Sequence, residues 1–381
     1  MRGCQSGIRP HRRKLFVPMR VAATLVLLAT LAACATPAAS PPQATRSDKP
    51  SGQEAATPIA TAKPSTPQTP AAAKAPLKKI TSSYNAISGT QMAFWMPKEA
   101  GYFEKNGLDV NLILMQSASV AAAALVSGEA QISSNSGAFV VESNFSGSDL
   151  TMVAGIVNTM IFSLMVDPSI KLPNDLKGKK LGITKFGSAT DFSVRYALKK
   201  WGLEPDKDVT ILQIGGVPEI LTAMDAKAIQ GGVLSPPTVT RAKKGGYSEL
   251  VDLGSVGVQY VTTAVVTPRQ YLKTHREEVK AYLQAVIEGI HRYKTDKEFA
   301  MKVLAKYTKT QDPEVLEDTY NIFNKYFEPV PYVKAEAVQT ILNEYGAQEP
   351  RAKTAKPDDF FDNSVLKEIE DSGFVKQLYN K

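Results

Sequence analysis

At 381 residues the chain sets 45 lysines and arginines against 37 acids, a formal charge of +8. Six of those basic residues (Arg2, Arg9, Arg12, Arg13, Lys14, Arg20) and no acid lie in the first 33 positions, so the remainder carries only +2 and has no electrostatic case for nucleic-acid binding. Its two cysteines, Cys4 and Cys34, are both N-terminal, so roughly 300 downstream residues must be held by an apolar core without a disulfide.

In chain order, the first element is a basic stretch followed by the apolar run Val21 to Leu31 and the tetrapeptide Leu31-Ala32-Ala33-Cys34. This run is shorter than the about 18 apolar residues a membrane span needs, and its form fits the apolar region of a signal peptide. Ending in a small-residue site with cysteine, it resembles a bacterial lipoprotein signal. The resemblance implies removal of residues 1–33, lipidation of Cys34 and an extracytoplasmic, membrane-tethered location. Met19 opens a compact signal of its own, and either start gives the same mature chain. Residues 34–77 follow as an expected disordered tether. They are rich in Ala, Pro, Thr and Ser and poor in large apolar residues, so they cannot bury enough surface to offset ordering, and the prolines favour extended spacing.

From Lys78 onward strand-like and helix-like segments alternate. KKITSSY (78–84) predicts a strand and TQMAFWMPKEAGYF (90–103) a helix broken near Pro97 and ended at Gly101. Strands are predicted for 109–115, 130–136 and 150–157, with helices at 119–128 and 137–145 between them. Further strands are read at 179–186, 208–215, 228–237 and 249–254, with helices at 190–202 and 218–228. This alternation argues for α/β layers with largely parallel sheets. After VTTAVVTP (261–268) the pattern turns helical. Val279, Tyr282, Leu283, Val286, Ile287 and Ile290 form one stripe, with Thr274 and Glu277 as a capping box. Asp312-Pro313 starts another helix, and 334–346 and 363–371 complete a helical tail.

Four phrases resemble the taurine, nitrate and aliphatic-sulfonate group of bacterial substrate-binding proteins, whose relatives bind pyrimidine precursors of thiamine. They are AGYFEKNGLDVNLILM (100–115), ALVSGEAQIS (124–133, with Gln131 where an acid is more usual), DLKGKKLGITKFGSATD (175–191) and GGVLSPP (231–237), which lacks the family's acid at Gln230 and Gly231. The resemblance covers about residues 80–310 and implies a type II periplasmic-binding-protein fold: two α/β lobes joined by two crossing strands, with a helical C-terminal tail. Lobe 1 is expected at 78–168 and 261–381 and lobe 2 at 169–260, with crossovers near 160–168 and 261–268. It also implies a solute-binding lipoprotein, expected as a monomer, that hands a small polar or anionic molecule to a permease and ATPase of an ABC importer.

Ligands of open α/β sheets sit beyond the carboxyl ends of strands, where helices begin, and free N–H groups at helix starts attract anions. Strand-to-helix loops therefore supply the candidate ligand-binding residues. They are Ser88, Thr90 and Gln91; Gln116, Ser117 and Ser119; Asn135 and Ser136; Asn158; and Lys185, Phe186, Gly187, Ser188 and Thr190. N-capping alone explains Ser, Thr and Asn at such places equally well. Trp95 reads as core more than as a ligand platform, and Pro236-Pro237 as a shaper of the lobe-2 wall. Arg195 either counters an anionic head group or pairs with an acid.

No catalytic motif stands out. His11 precedes Cys34, and His275 and His291 fall on a C-terminal helix without a metal-like partner, so no metal, cofactor or catalytic residue is expected. A synthase acting on pyrimidine precursors would require a histidine in the cleft, which the cleft segments lack; a sensing lipoprotein built on the same clamp is the other alternative.

Overall fold

A computed structural model describes residues 76–380 of the chain; the signal-like segment, Cys34 and almost all of the tether lie outside the described residues. The first half alternates strands and helices: β1 (Lys78–Tyr84), α1 (Met92–Glu99), α2 (Tyr102–Lys105), β2 (Leu108–Leu114), α3 (Ala118–Ser127), β3 (Ile132–Asn135), α4 (Gly137–Phe145) and β4 (Leu150–Thr159). Next come β5 (Ser163–Val166), β6 (Lys180–Ile183), α5 (Ala189–Lys200), β7 (Thr210–Gln213), α6 (Val217–Asp225), β8 (Gly231–Leu234), α7 (Thr238–Lys244) and β9 (Ser248–Asp252). β10 (Gln259–Pro268) leads to the helices α8 (Arg269–Thr274), α9 (Arg276–Thr295), α10 (Lys297–Thr308), α11 (Pro313–Tyr326), α12 (Ala335–Tyr345), α13 (Ser364–Asp371) and α14 (Phe374–Tyr379).

The strands form two five-stranded sheets, ordered β2-β1-β3-β10-β4 and β7-β6-β8-β5-β9. In the first, β1 pairs in parallel with β2 and β3, while β10 runs antiparallel between β3 and β4. In the second, β6 is parallel to β7 and β8, and β5 is antiparallel to β8 and β9. Residues 163–166, which a lobe boundary at 168 assigns to lobe 1, pair in the second sheet, and the chain crosses at 160–162, within the expected 160–168 stretch. It returns between Asp252 and Gln259, before the 261–268 phrase, which lies within β10. The two crossings are hydrogen-bonded to each other: Met160 N–H donates to the Val258 carbonyl (3.3 Å) and Leu253 N–H to that of Phe162 (2.9 Å).

Strand β4 (LTMVAGIVNT) is buried along nearly its whole length although it closes one end of its sheet. The tail covers that edge, since Met152 N–H donates to the Phe360 carbonyl and Asp362 N–H to that of Met152. An unpaired edge would otherwise expose a template for aggregation.

The predicted α9 stripe is fully buried and lies on α1. Gly289 permits this approach, because a Cβ there would stand 2.5 Å from Pro97 Cδ. Pro97 lies inside α1 rather than breaking it, and Gly101, at φ +70°, turns the chain between α1 and α2 where the sequence predicts the helix to end. The capping box is not formed: Thr274 ends the separate helix α8, and its hydroxyl donates to the Gln270 carbonyl. Asp312 does cap α11, its carboxylate accepting from Glu314 and Val315 N–H. The second sheet has its own small core of Met165, Val217, Ile220, Met224, Ile229, Leu234, Val239 and Ala242. Gly182 and Gly232 leave room for Ile220 of α6 to lie directly on that sheet.

Candidate functional site

Between the two sheets, where the carboxyl ends of their strands face one another, lies a cavity of about 90 Å³. One water needs only about 10–15 Å³ of such space, so the cavity has room for a small organic molecule. Four helices start in its wall: Ala118 opens α3, Ser136 caps α4, Ser188 caps α5 and Val217 opens α6. The first N–H groups of a helix have no intrahelical partner. Ser136 and Ser188 satisfy only one each, from Phe139 and Asp191, so further donors and four positive macrodipole ends remain directed at the space.

The lobe-1 wall is a buried polar network. Gln91 Nε2 donates to Asn85 Oδ1 (3.2 Å) and Thr90 Oγ1 (3.0 Å), and Ser134 donates to Gln91 Oε1 (2.8 Å). Asn135 accepts from Asn85 (3.3 Å) and donates to Ser133 (2.7 Å). Such mutual satisfaction fixes the side chains that line the cavity. On the other wall the hydroxyls of Thr184, Ser188 and Thr190 form a triangle with sides of 2.8–3.0 Å. Gly187, at φ +74°, turns the loop, and its N–H donates to the Asp191 carboxylate.

The lobes touch across the cavity. Ser88 and Ser235 hydroxyls share a hydrogen bond of 3.0 Å, and Gly89 N–H donates to the Pro236 carbonyl. Further out, Lys244 of α7 pairs with Asp312 and Glu314 at α11, and Lys199 of α5 with Glu344 of α12.

Of the candidates, Ser88, Thr90, Gln116, Asn135, Ser136, Lys185, Phe186, Gly187, Ser188 and Thr190 line this cavity. Four do not. Gln91 stands behind the wall and holds Asn85 and Thr90. Ser117 caps α3, and its hydroxyl bonds Ser119, so both act as ordinary helix-start residues. Asn158 is committed elsewhere: its amide donates to the carbonyls of Gly155 (2.9 Å) and Tyr332 (2.8 Å) and accepts from Lys334 N–H. Trp95 is buried and stacks on Tyr307 at 4.5 Å. Arg195 pairs with Asp191 and Asp206 outside the inner cavity.

The structure adds Asn85, Ala86, Phe139, Glu142, Phe162, Thr184, Gly215, Gly216, Val217, Ser235, Thr262 and Thr263 to the lining. Glu142 and Lys185 are the charged ones among the described residues. Burial pushes Glu142 up to about 7, with Lys185 opposing the rise and Asp191 adding to it. Burial lowers Lys185, with Glu142 opposing. A signal for Glu142 was present in the sequence, since it is the one acid in the otherwise apolar or small helix GAFVVESNF.

Among the described residues no group of three His, Cys, Asp or Glu is placed to hold a metal ion, and no helix is long and apolar enough to cross a membrane.

Two five-stranded α/β lobes, joined by a pair of crossing segments, enclose a polar cavity between them. The family model described as NMT1/THI5 like matches residues 90–298, and the chain belongs to that family. The taurine-binding periplasmic protein of Escherichia coli is 31% identical over 134 residues, 34% of this chain and 40% of that protein. The nitrate/nitrite-binding protein NrtA of Nostoc sp. is 29% identical over 125 residues, 32% of this chain and 28% of that protein. The matched segments thus span less than half of either relative. Among solved structures, the periplasmic nitrate-binding protein NrtA of Synechocystis superimposes with a TM-score of 0.65 at 15% identity, over 78% of this chain and 89% of that one. The fold is that of the periplasmic binding proteins.

Proposed function

We propose that this protein is the solute-binding component of an ATP-driven importer, holding a small polar or anionic organic molecule between its lobes and releasing it unchanged to a membrane permease. The observation that carries this reading is the cavity itself: it lies between the lobes and is ringed by the starts of four helices. Its polar lining is mostly hydroxyls and amides, which bind without reacting. Family membership and the taurine- and nitrate-binding relatives support an anionic guest. The ligand contacts are assigned to Ser88, Thr90, Gln116, Asn135, Ser136, Lys185, Ser188 and Thr190. In the same reading Cys34 carries a lipid, and residues 34–77 hold the clamp as a monomer outside the cytoplasmic membrane, beside a permease with its ATPase.

Native mass spectrometry of freshly purified protein, followed by thermal shifts against taurine, nitrate, alkanesulfonates and pyrimidines, tests this. A ligand at 100 times its dissociation constant adds about 2.7 kcal/mol of stability, which a melting curve resolves. Chemical conversion of a captured molecule, or the absence of any shift across the panel, would overturn it.

A further inference from the structure

Glu142 of α4 and Lys185 of the loop before α5 face the inner cavity from opposite lobes, and among the described residues neither side chain makes a hydrogen bond or an ion pair. A carboxylate and an ammonium partly withdrawn from water, each without a protein partner, bear a desolvation cost that a guest of complementary charge relieves. Their positions differ. Lys185 belongs to the inner cavity, beside the first turn of α5, where the potential is positive. Glu142 lies at the junction, lining both the inner cavity and a larger outer one of about 530 Å³. In that outer space Arg195 is taken up by Asp191 and Asp206, so it offers no cation to Glu142.

We infer that the guest is an amine-bearing anion: its acid group sits inward with Lys185 and the helix starts, and its protonated amine is held by Glu142 at the mouth of the outer cavity. This rests on the clamp reading above and narrows its substrate class. Glu142 is then the residue that separates amino acids of this type from plain anions, and the outer cavity gives room for a spacer between the two charges. The groups facing Glu142 are Lys185, Asp191, Tyr260 and Tyr345. An incoming ammonium favours the carboxylate form of a group that ordinarily titrates near about 7 in this site. Affinity for an amine-bearing guest therefore rises with pH through that value, by as much as about tenfold per unit below it, whereas a guest without an amine shows no such rise.

Isothermal titration of the full chain with two matched pairs, taurine against ethanesulfonate and β-alanine against propionate, tests this at pH 5.5 and 8. The amine-bearing member of at least one pair should bind tenfold or more tighter at pH 8 and lose that lead at pH 5.5. Glu142→Gln should bring the pair to equal affinity and flatten the pH response, and Glu142→Asp should keep the preference. Equal binding within the pairs, or a ratio unchanged in Glu142→Gln, overturns the inference and leaves the clamp standing. Binding of no member of either pair overturns it together with the anionic guest. If Glu142→Gln does not fold, the contrast in pH response within a wild-type pair decides.

Discussion

Gly187 combines a left-handed backbone with a crowded face, since a Cβ there would run into the Glu142 carboxylate. An L-residue in that conformation costs roughly 1–2 kcal/mol before any collision. Gly187→Ala should therefore lower stability by about 2 kcal/mol and weaken guest binding, as read from urea melts and titration. An alanine variant matching wild type in both would show that Glu142 does not rest on this loop. Glu142 itself gives a pH signature to the ligand-free protein. Folding raises this acid from an ordinary 4.5 to about 7, so between those values the folded state keeps a proton that the unfolded chain has lost. Stability accordingly falls as pH rises through that window, on the order of 2 kcal/mol after allowance for its partial exposure. The difference in urea midpoint between pH 5 and 7.5 should shrink in Glu142→Gln; an equal difference would place the slope elsewhere. This trend runs opposite to the affinity for an amine-bearing guest.

At the level of elements, Asn158 ties β4 to the segment entering α12 through two hydrogen bonds, to Tyr332 and Lys334, and braces β4 itself through a third, to Gly155. Asn158→Ala strands buried backbone groups and should cost about 1–3 kcal/mol, while affinity measured well below the melting temperature stays at the wild-type value. A parallel loss of affinity would return Asn158 to the site. This residue also marks what the sequence could convey. The β-α alternation, the helix end at Gly101 and the α9 stripe are periodic or local signals, and each reappears in the structure. Strand-to-helix loops were legible as site material because their position in the alternation fixes which end of a strand they follow. Asn158 is the penultimate residue of β4, which leads into a crossing segment rather than a helix, so that rule does not apply to it. Ser235 does lie in a strand-to-helix loop, between β8 and α7, and was open to the same rule. Glu142 is conspicuous as the one acid of its helix, but neither its place there nor that of Thr262 and Thr263 within β10 tells what they face. These meet the cavity only through long-range docking of the two sheets, which no local pattern encodes. The move of residues 163–166 to the second sheet has the same origin, because an apolar run can pair in either sheet.

At the level of the molecule, ion pairs at the surface bridge the lobes between α7 and α11 and between α5 and α12. Exposed pairs contribute about 0–1 kcal/mol each and weaken with salt. Pairs of this strength are expected to bias the lobes toward each other without locking them. Lys199→Ala combined with Lys244→Ala should give a larger radius of gyration by small-angle X-ray scattering without guest and an unchanged one with guest bound. Raising salt on the wild type should move its guest-free profile the same way. Identical profiles for variant and wild type would assign closure to the Ser88–Ser235 and Gly89–Pro236 contacts alone.

The two crossings bear on how such motion is shaped. Between β4 and β5 the chain has only residues 160–162, and between β9 and β10 only 253–258, and the two stretches are stitched together at both ends. Twin straps bound in this manner permit swinging about one pin and resist sliding or twisting apart. Such a build should turn as a door with a single degree of freedom, so that a probe placed anywhere on the second lobe should report the same angle.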